Sequence, residues 1–191
     1  LVVIYTSFLR SNGGQVFTGG FALQSYEATL FAKDNDAVWN TYVLGVLSIA
    51  LVVVIGVLVA YLSVRKRNAV NSALDTVTMF PFIIPGSVLG IAFLFAFNSP
   101  PILISGTMLI MIIAFSVRRM PYTVRSSAAA LGQISPSIEE AAISLGASEM
   151  TTFTRVTVPM MLPGVCAGAI MSWVTIISEL SSSIILYTNA N

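Results

Sequence analysis

Four long apolar runs dominate this chain and leave it few folds to choose from. They cover 41–64, 74–97, 102–117 and 158–180. A helix crosses the hydrocarbon of a bilayer in about 20 residues, and all but 102–117 reach that length. In lipid a backbone N–H or C=O has no water to turn to, so such a run must satisfy its hydrogen bonds within itself, as a helix. Composition agrees: 56% of the 191 residues are hydrophobic and 9% are charged, against about 25% charged in ordinary soluble domains. The expected fold is all-α, a polytopic transmembrane helical bundle. Trp39 falls at the interface level and Asn40 stands as N-cap of the first span. Residues 1–9 are apolar but too short to cross. They carry neither an initiator Met nor a basic segment, and read as the end of a truncated helix rather than as a signal peptide. No closing helix follows 180, so the expectation is a single partial domain over 1–191, truncated at both ends.

Absences narrow the chemistry. The chain has no histidine and one cysteine, Cys166, which reads as a small packing residue. Ser-His-Asp and Cys-His catalysis, the usual zinc sites and an internal disulfide are thereby excluded. No Gly-x4-Gly-Lys-Ser/Thr phosphate loop occurs, so ATP is not held in that way. No catalytic, cofactor-binding or metal-ligating residue is assigned, and energy for moving a solute has to come from another subunit. The net charge of +1 points to no nucleic-acid partner, because the basic residues sit in short clusters between apolar runs.

Those clusters set the orientation. Arg65, Lys66, Arg67, Arg118, Arg119, Arg125 and Arg155 fall in two loops separated by an even number of spans. Arg10 and Lys33 remain for the other side, with Glu27, Asp34 and Asp36. By the positive-inside rule both basic loops are cytoplasmic. Arg65-Lys66-Arg67 anchors the topology, and Asp75 follows closely enough to pair with that cluster. An internal echo also appears: 81–90 and 159–168 share the pattern P-x3-P-G-x3-G. Both stretches lie where the chain enters the membrane from inside. Proline suits a helix start, and glycines four apart let a neighbouring helix approach. Independent use of good helix-start chemistry and a packing role specific to this bundle both fit.

The segment 118–157 is the longest between spans. Ser137-Ile138-Glu139-Glu140 has the form of a capping box, with Ser135-Pro136 an alternative helix start. Ile138, Ala141, Ala142 and Leu145 then share one apolar face, shallow enough to lie against a partner. Gly146 ends that helix. Ser148 caps a second short helix in which Met150 and Phe153 share a face, and Pro159 marks the return to the membrane. An amphipathic helix lying on lipid would carry a basic polar face, whereas 138–145 holds two glutamates and no basic residue.

This segment resembles the cytoplasmic loop of ABC importer permeases, E-A-A-x3-G-x9-I-x-L-P. The chain reads Glu140-Ala141-Ala142, then Gly146, then Val156-Thr157-Val158-Pro159, with every spacing matched and Val standing for Ile and for Leu. Three further stretches, 80–90, 122–127 and Glu179-Leu180-Ser181, are similar to the ferric-iron branch of that family, the last to the second of two tandem domains. The resemblance implies a coupling helix seated in a cleft of a separate ABC ATPase subunit. Glu140, Ala141, Ala142 and Gly146 are the implied contact, extended by Met150 and Phe153. It also implies an extracytoplasmic solute-binding protein, a second permease domain in the same chain or another copy, surrounding lipid, and a bacterial inner-membrane location. ATP is bound by the partner, and alternating access moves the solute. Ferric iron is the first substrate implied, with polyamine, thiamine, phosphonate or another small solute as alternatives. An ion channel or ion-coupled carrier is the rival class, and it would need no ATPase dock. An intramembrane protease would need paired catalytic groups that the composition lacks.

Along the last span Gly168, Ser172, Thr175, Glu179 and Ser182 recur every three or four residues, one face at the helical period. A carboxylate at the centre of a span costs roughly 2.5–3.5 kcal/mol on insertion scales and tends to mark a path. Two readings stand together. In one, Ser172, Thr175, Glu179 and Ser182 line the outer part of a solute path. In the other, the hydroxyls bond neighbouring helices and Glu179 reaches outer water.

Overall fold

Helix is the only element of any length among the residues that a computed structural model describes, which are 2–9, 20–23, 26–27 and 36–187. The chain divides into two units, 1–43 and 44–191. In the first, α1 (Val2–Ser7) is followed by a bridge between Leu9 and Phe21, with Tyr5 set edge-on to Phe21. Arg10, Lys33 and Asp34, three of the charges assigned to the far side, lie outside the described residues.

Helix α2 (Asp36–Arg65) is the first span, and it starts earlier than expected, so Asn40 lies within it rather than capping it. The second apolar run is broken. It forms α3 (Ala69–Val77), α4 (Phe80–Ile83) and α5 (Gly86–Phe97), with a bend of 113° between α4 and α5. Pro85 is the cause: its ring pushes Ile84 out of the helical region, to ψ 129°, and it offers no N–H to carry the ladder on. At the top of the echo's second copy, Pro163 sits inside a continuous helix. One motif therefore gives two backbones.

A two-residue ribbon, β1 (Asn98–Ser99) with β2 (Ile102–Leu103), turns the chain into α6 (Met108–Gly132). The third span was expected at 102–117, with a loop from Arg118; the helix instead runs straight through Arg118, Arg119 and Pro121 for 25 residues. The loop that follows holds α7 (Pro136–Ser144) and α8 (Glu149–Thr152), then a π-helical turn at Phe153–Thr157. Helix α9 (Val158–Ile177) continues from it, and α10 (Ser183–Leu186) closes the described chain. Val38–Arg65 and Glu149–Ile177 are each long and apolar enough to cross a membrane, and the bent pair makes a third if taken as one broken span. The bundle is all-α, as expected, with α6 and α9 packed antiparallel at its centre.

Two clusters form the core. One gathers Leu44, Ile110, Met111, Phe115, Ile176 and Leu186 near the start of α6. The other gathers Val57, Ala60, Leu131, Ile134, Met161 and Val165 near its end. Glycines let α6 and α9 meet between them: a Cβ on Gly164 would lie 2.8 Å from the Ser126 carbonyl oxygen, and one on Gly168 2.7 Å from the Thr123 Cα. The packing reading of the echo holds at this copy. Hydroxyls tie the helices together, Ser116 of α6 donating to the Ser48 carbonyl of α2 at 3.2 Å and Ser172 of α9 to the Arg119 carbonyl of α6 at 3.3 Å. Outward, Val46, Leu47, Val54 and Leu58 of α2, and Ile170, Met171, Val174 and Ile177 of α9, are exposed rows with no polar group to wet them. Cys166 is exposed on α9 rather than packed inside.

Candidate functional site

The segment after α6 presents the most unusual surface of the chain. Pro136 opens α7 with Ser135 as its N-cap residue, so the alternative start holds and the box at Ser137 does not form. The Ser135 and Ser137 hydroxyls hydrogen-bond to each other at 2.7 Å instead. Not one residue of α7 is buried. Ile138 and Ile143 are exposed, and Leu145 stands 89% exposed at the helix end. Gly146 turns the chain with φ +92°, in the left-handed region where a side chain is strained. Ser148 then accepts a hydrogen bond from the Thr151 N–H at 3.2 Å and caps α8. Met150 and Phe153 do not share surroundings: Met150 is 70% exposed, while Phe153 packs edge-on against Tyr61 with ring centroids 4.7 Å apart. The π-helical turn begins at Phe153.

Two adjacent glutamates on α7 have opposite surroundings. Glu139 is turned inward and its Oε1 accepts from Arg65 Nε at 3.1 Å and from Thr157 Oγ1 at 3.0 Å. Arg65 Nη2 also donates to the Ile134 carbonyl at 2.8 Å. Glu140 is exposed and takes part in none of the ion pairs among the described residues. A cavity of about 250 Å³ lies beside them, lined by Tyr61, Arg65, Glu139, Glu140 and Thr152 among others. On its outer edge Lys66 Nζ meets Glu149 Oε2 at 2.8 Å. That hydrogen bond, and then the carboxylate's charge, raises the Lys66 pKa. Lys66 in turn lowers the Glu149 pKa, so the pair's contribution is whole between the ordinary carboxylate and lysine pKa values; it is lost as pH falls through the lowered Glu149 value or climbs through the raised Lys66 value. Sequence reasoning read Arg65-Lys66-Arg67 as a topology anchor and missed that two of its members grip the loop.

The second predicted site is rearranged. Helix α9 stops at Ile177, with Ser178 as its C-cap, so Glu179 and Ser182 lie in the turn beyond it and not on a helical stripe. Ser172 is buried against α6, 3.3 Å from the Thr123 hydroxyl, and Thr175 donates back to the Met171 carbonyl at 2.9 Å. Glu179 does not reach open water: its side chain is 4% exposed and is clamped by Arg118, at 3.1 Å, and by Arg119. Its other oxygen accepts from the Ser182 N–H at 3.3 Å. Arg118 Nη1 donates to the Ile84 carbonyl at the helix break, and Ser182 Oγ to the Gly86 carbonyl. The two arginines are therefore helical rather than part of an irregular loop. They lie well inside α6, and a helix can carry them there because a carboxylate meets them. The orientation now rests on Arg65, Lys66, Arg67 and Arg155, with Arg125 paired to Asp75 at 3.4 Å. Asp75 was expected to pair with the 65–67 cluster instead.

Comparison with known proteins bears on this arrangement. The family described as "Binding-protein-dependent transport system inner membrane component" matches residues 52–190. A ferric transport system permease protein of Actinobacillus pleuropneumoniae is 32% identical over 190 residues, which takes in 92% of this chain and 28% of that protein. A molybdate/tungstate transport system permease protein of Thermococcus kodakarensis is 28% identical over 151 residues, 79% of this chain and 60% of that protein. The chain thus spans less than a third of the length of the ferric relative. A chain of the MetNI methionine ABC transporter, solved in inward-facing conformations, matches with a TM-score of 0.61 at 23% identity. The match covers 78% of this chain and 71% of that one, and speaks for the fold.

Proposed function

This chain belongs to the family of binding-protein-dependent transport system inner membrane components, and from that premise we propose that it is the membrane-spanning part of an ABC importer docking its ATPase through α7. The observation that carries the reading is the surface of α7. A helix with no buried residue, ended by a glycine at φ +92°, displays Glu140, Ala141 and the exposed Leu145 at the end of the bundle where the basic residues gather. A short helix with little of its own surface buried has small intrinsic stability, so a partner cleft accounts for its exposure. Gly146 sets the angle at which it is presented. Met150 extends the surface, while Phe153 supports it from inside. The chain itself is not an enzyme in this reading, and ATP is bound and hydrolysed by the partner.

The exposed rows of α2 and α9 supply faces for lipid and for a second permease domain. So does an apolar groove of about 400 Å³ lined by Met79, Phe82, Tyr122, Ala167 and Met171 among others. An extracytoplasmic binding protein delivers the solute at the opposite end. Ferric iron is the substrate the reading favours, on the strength of the ferric relatives; the molybdate/tungstate relative keeps oxyanions as the alternative. Residues 172–182 serve the bundle's structure rather than a cation path, since the carboxylate is already taken up by two guanidiniums.

The test is uptake by proteoliposomes holding the full-length protein, its ATPase and its binding protein. Radioactive ferric iron should enter only with internal ATP hydrolysis. Uptake driven by a proton or sodium gradient without ATP would place the chain among ion-coupled carriers instead.

A further inference from the structure

We propose that Glu139, and not its exposed neighbour Glu140, is the positioning residue that ties the coupling helix to the membrane helices. Movement of that helix would then be passed to α2 and α9 through one carboxylate. The proposal rests on α7 being the ATPase dock and deepens it by dividing the work between adjacent side chains. Neighbours on a helix point about 100° apart, so one glutamate can face the bundle while the next faces a partner. The geometry has that form. The side chains of Glu139 and Arg65 are 13% and 12% exposed, whereas Glu140 is open to solvent.

Three elements meet at Glu139. Arg65 is the last residue of α2, and its guanidinium spans the Glu139 carboxylate and the carbonyl of Ile134, just ahead of the start of α7 at Pro136. Thr157, fully buried, closes the π-helical turn and donates its hydroxyl to the same carboxylate oxygen. That turn leads without interruption into α9. A π turn is uncommon and marks a place where a helix departs from its ideal register. Here the departure brings the Thr157 hydroxyl to Glu139. Hydrogen bonds to an ionised group in a half-buried setting are strong and directional, which suits a part that must transmit displacement. The nearby Lys66–Glu149 pair is exposed and screened by salt, and cannot replace it.

The experiment uses the full-length protein with its ATPase and binding protein in proteoliposomes. It reads three quantities: ATPase association, hydrolysis stimulated by solute-loaded binding protein, and solute moved per ATP. Glu139→Gln should keep ATPase association near wild type while stimulated hydrolysis falls about tenfold, the worth of one lost charge-assisted hydrogen bond. Glu140→Gln should do the reverse, weakening association first. Thr157→Val removes only the hydroxyl and should lower solute moved per ATP in the same direction, which keeps the proposal open to test if Glu139→Gln folds poorly. The exchange Arg65→Glu with Glu139→Arg should recover part of the stimulation lost in either single variant. Normal stimulation in Glu139→Gln, or loss of ATPase association in that variant while Glu140→Gln keeps it, would overturn the proposal. If the wild-type protein binds no ATPase, the docking reading itself fails, and the proposal with it.

Discussion

At Glu179 a carboxylate that sequence alone places near outer water is held by Arg118 and Arg119 and is almost fully enclosed. Removing one partner from a buried ionic cluster leaves the others unpaired in a poor solvent, at a cost of about 3–5 kcal/mol. Glu179→Gln should therefore lower the thermal midpoint of the purified protein by several degrees, and adding Arg119→Gln should restore part of it. A single variant that melts with the wild type would show the cluster to be well hydrated. Gly146 gives a sharper local case. Nothing lies within 4 Å of the Cβ it lacks, so the obstacle to a side chain there is the backbone angle alone. Gly146→Val should cost about 1–2 kcal/mol locally, leave the bundle folded, and weaken ATPase association as the angle of α7 changes. Normal association in Gly146→Val would show that this turn does not present the dock.

Among the elements, the seam between α6 and α9 depends on small residues at set places. Gly168→Ala would put a Cβ into the backbone of Thr123, and overpacking of that kind costs about 1–3 kcal/mol. Gly132→Ala, at the open end of α6, meets nothing within 4 Å and should be neutral or stabilising by up to about 1 kcal/mol. Thermal melts of the two variants in detergent check the contrast; equal effects would mean the helices can part at no cost. The glycine spacing was legible in the sequence because it follows the helical period, and so were the stop at Gly146 and the cap at Ser148. The break at Pro85 was not, since P-x3-P-G-x3-G reads alike at both copies. At the first copy a distant side chain, Arg118, takes up the Ile84 carbonyl at the break, and the motif carries no sign of it. The true length of α6 was hidden for a related reason. Two adjacent arginines look like the end of a span until their carboxylate, sixty residues away in sequence, is brought beside them. Glu139 was passed over because motif spacing draws the eye to Glu140, and only the fold shows which of the two faces inward.

For the molecule as a whole, the grip of Arg65 on the loop places the end of α2, the end of α6 and α7 on one side, with the β1–β2 ribbon at the far end of α6. In a Cys166→Ala background, Asn98→Cys should react with an impermeant thiol reagent on intact cells, while Asn71→Cys and Gln133→Cys should react only after the membrane is opened. The reverse pattern would invert the orientation and put α7 outside, away from any ATPase. Whether α7 is the surface on which an ATPase acts is decided by cross-linking from Leu145. With Cys166 and any other cysteine of the full-length protein replaced, Leu145→Cys carries a photoactivatable thiol reagent and is illuminated in membranes containing the ATPase subunit. A single adduct between the two proteins should form, its yield changing when ATP is trapped in the ATPase, with no adduct from the same reagent at Asn98→Cys. Absence of any adduct at Leu145 in membranes that take up solute with ATP hydrolysis would contradict docking through α7.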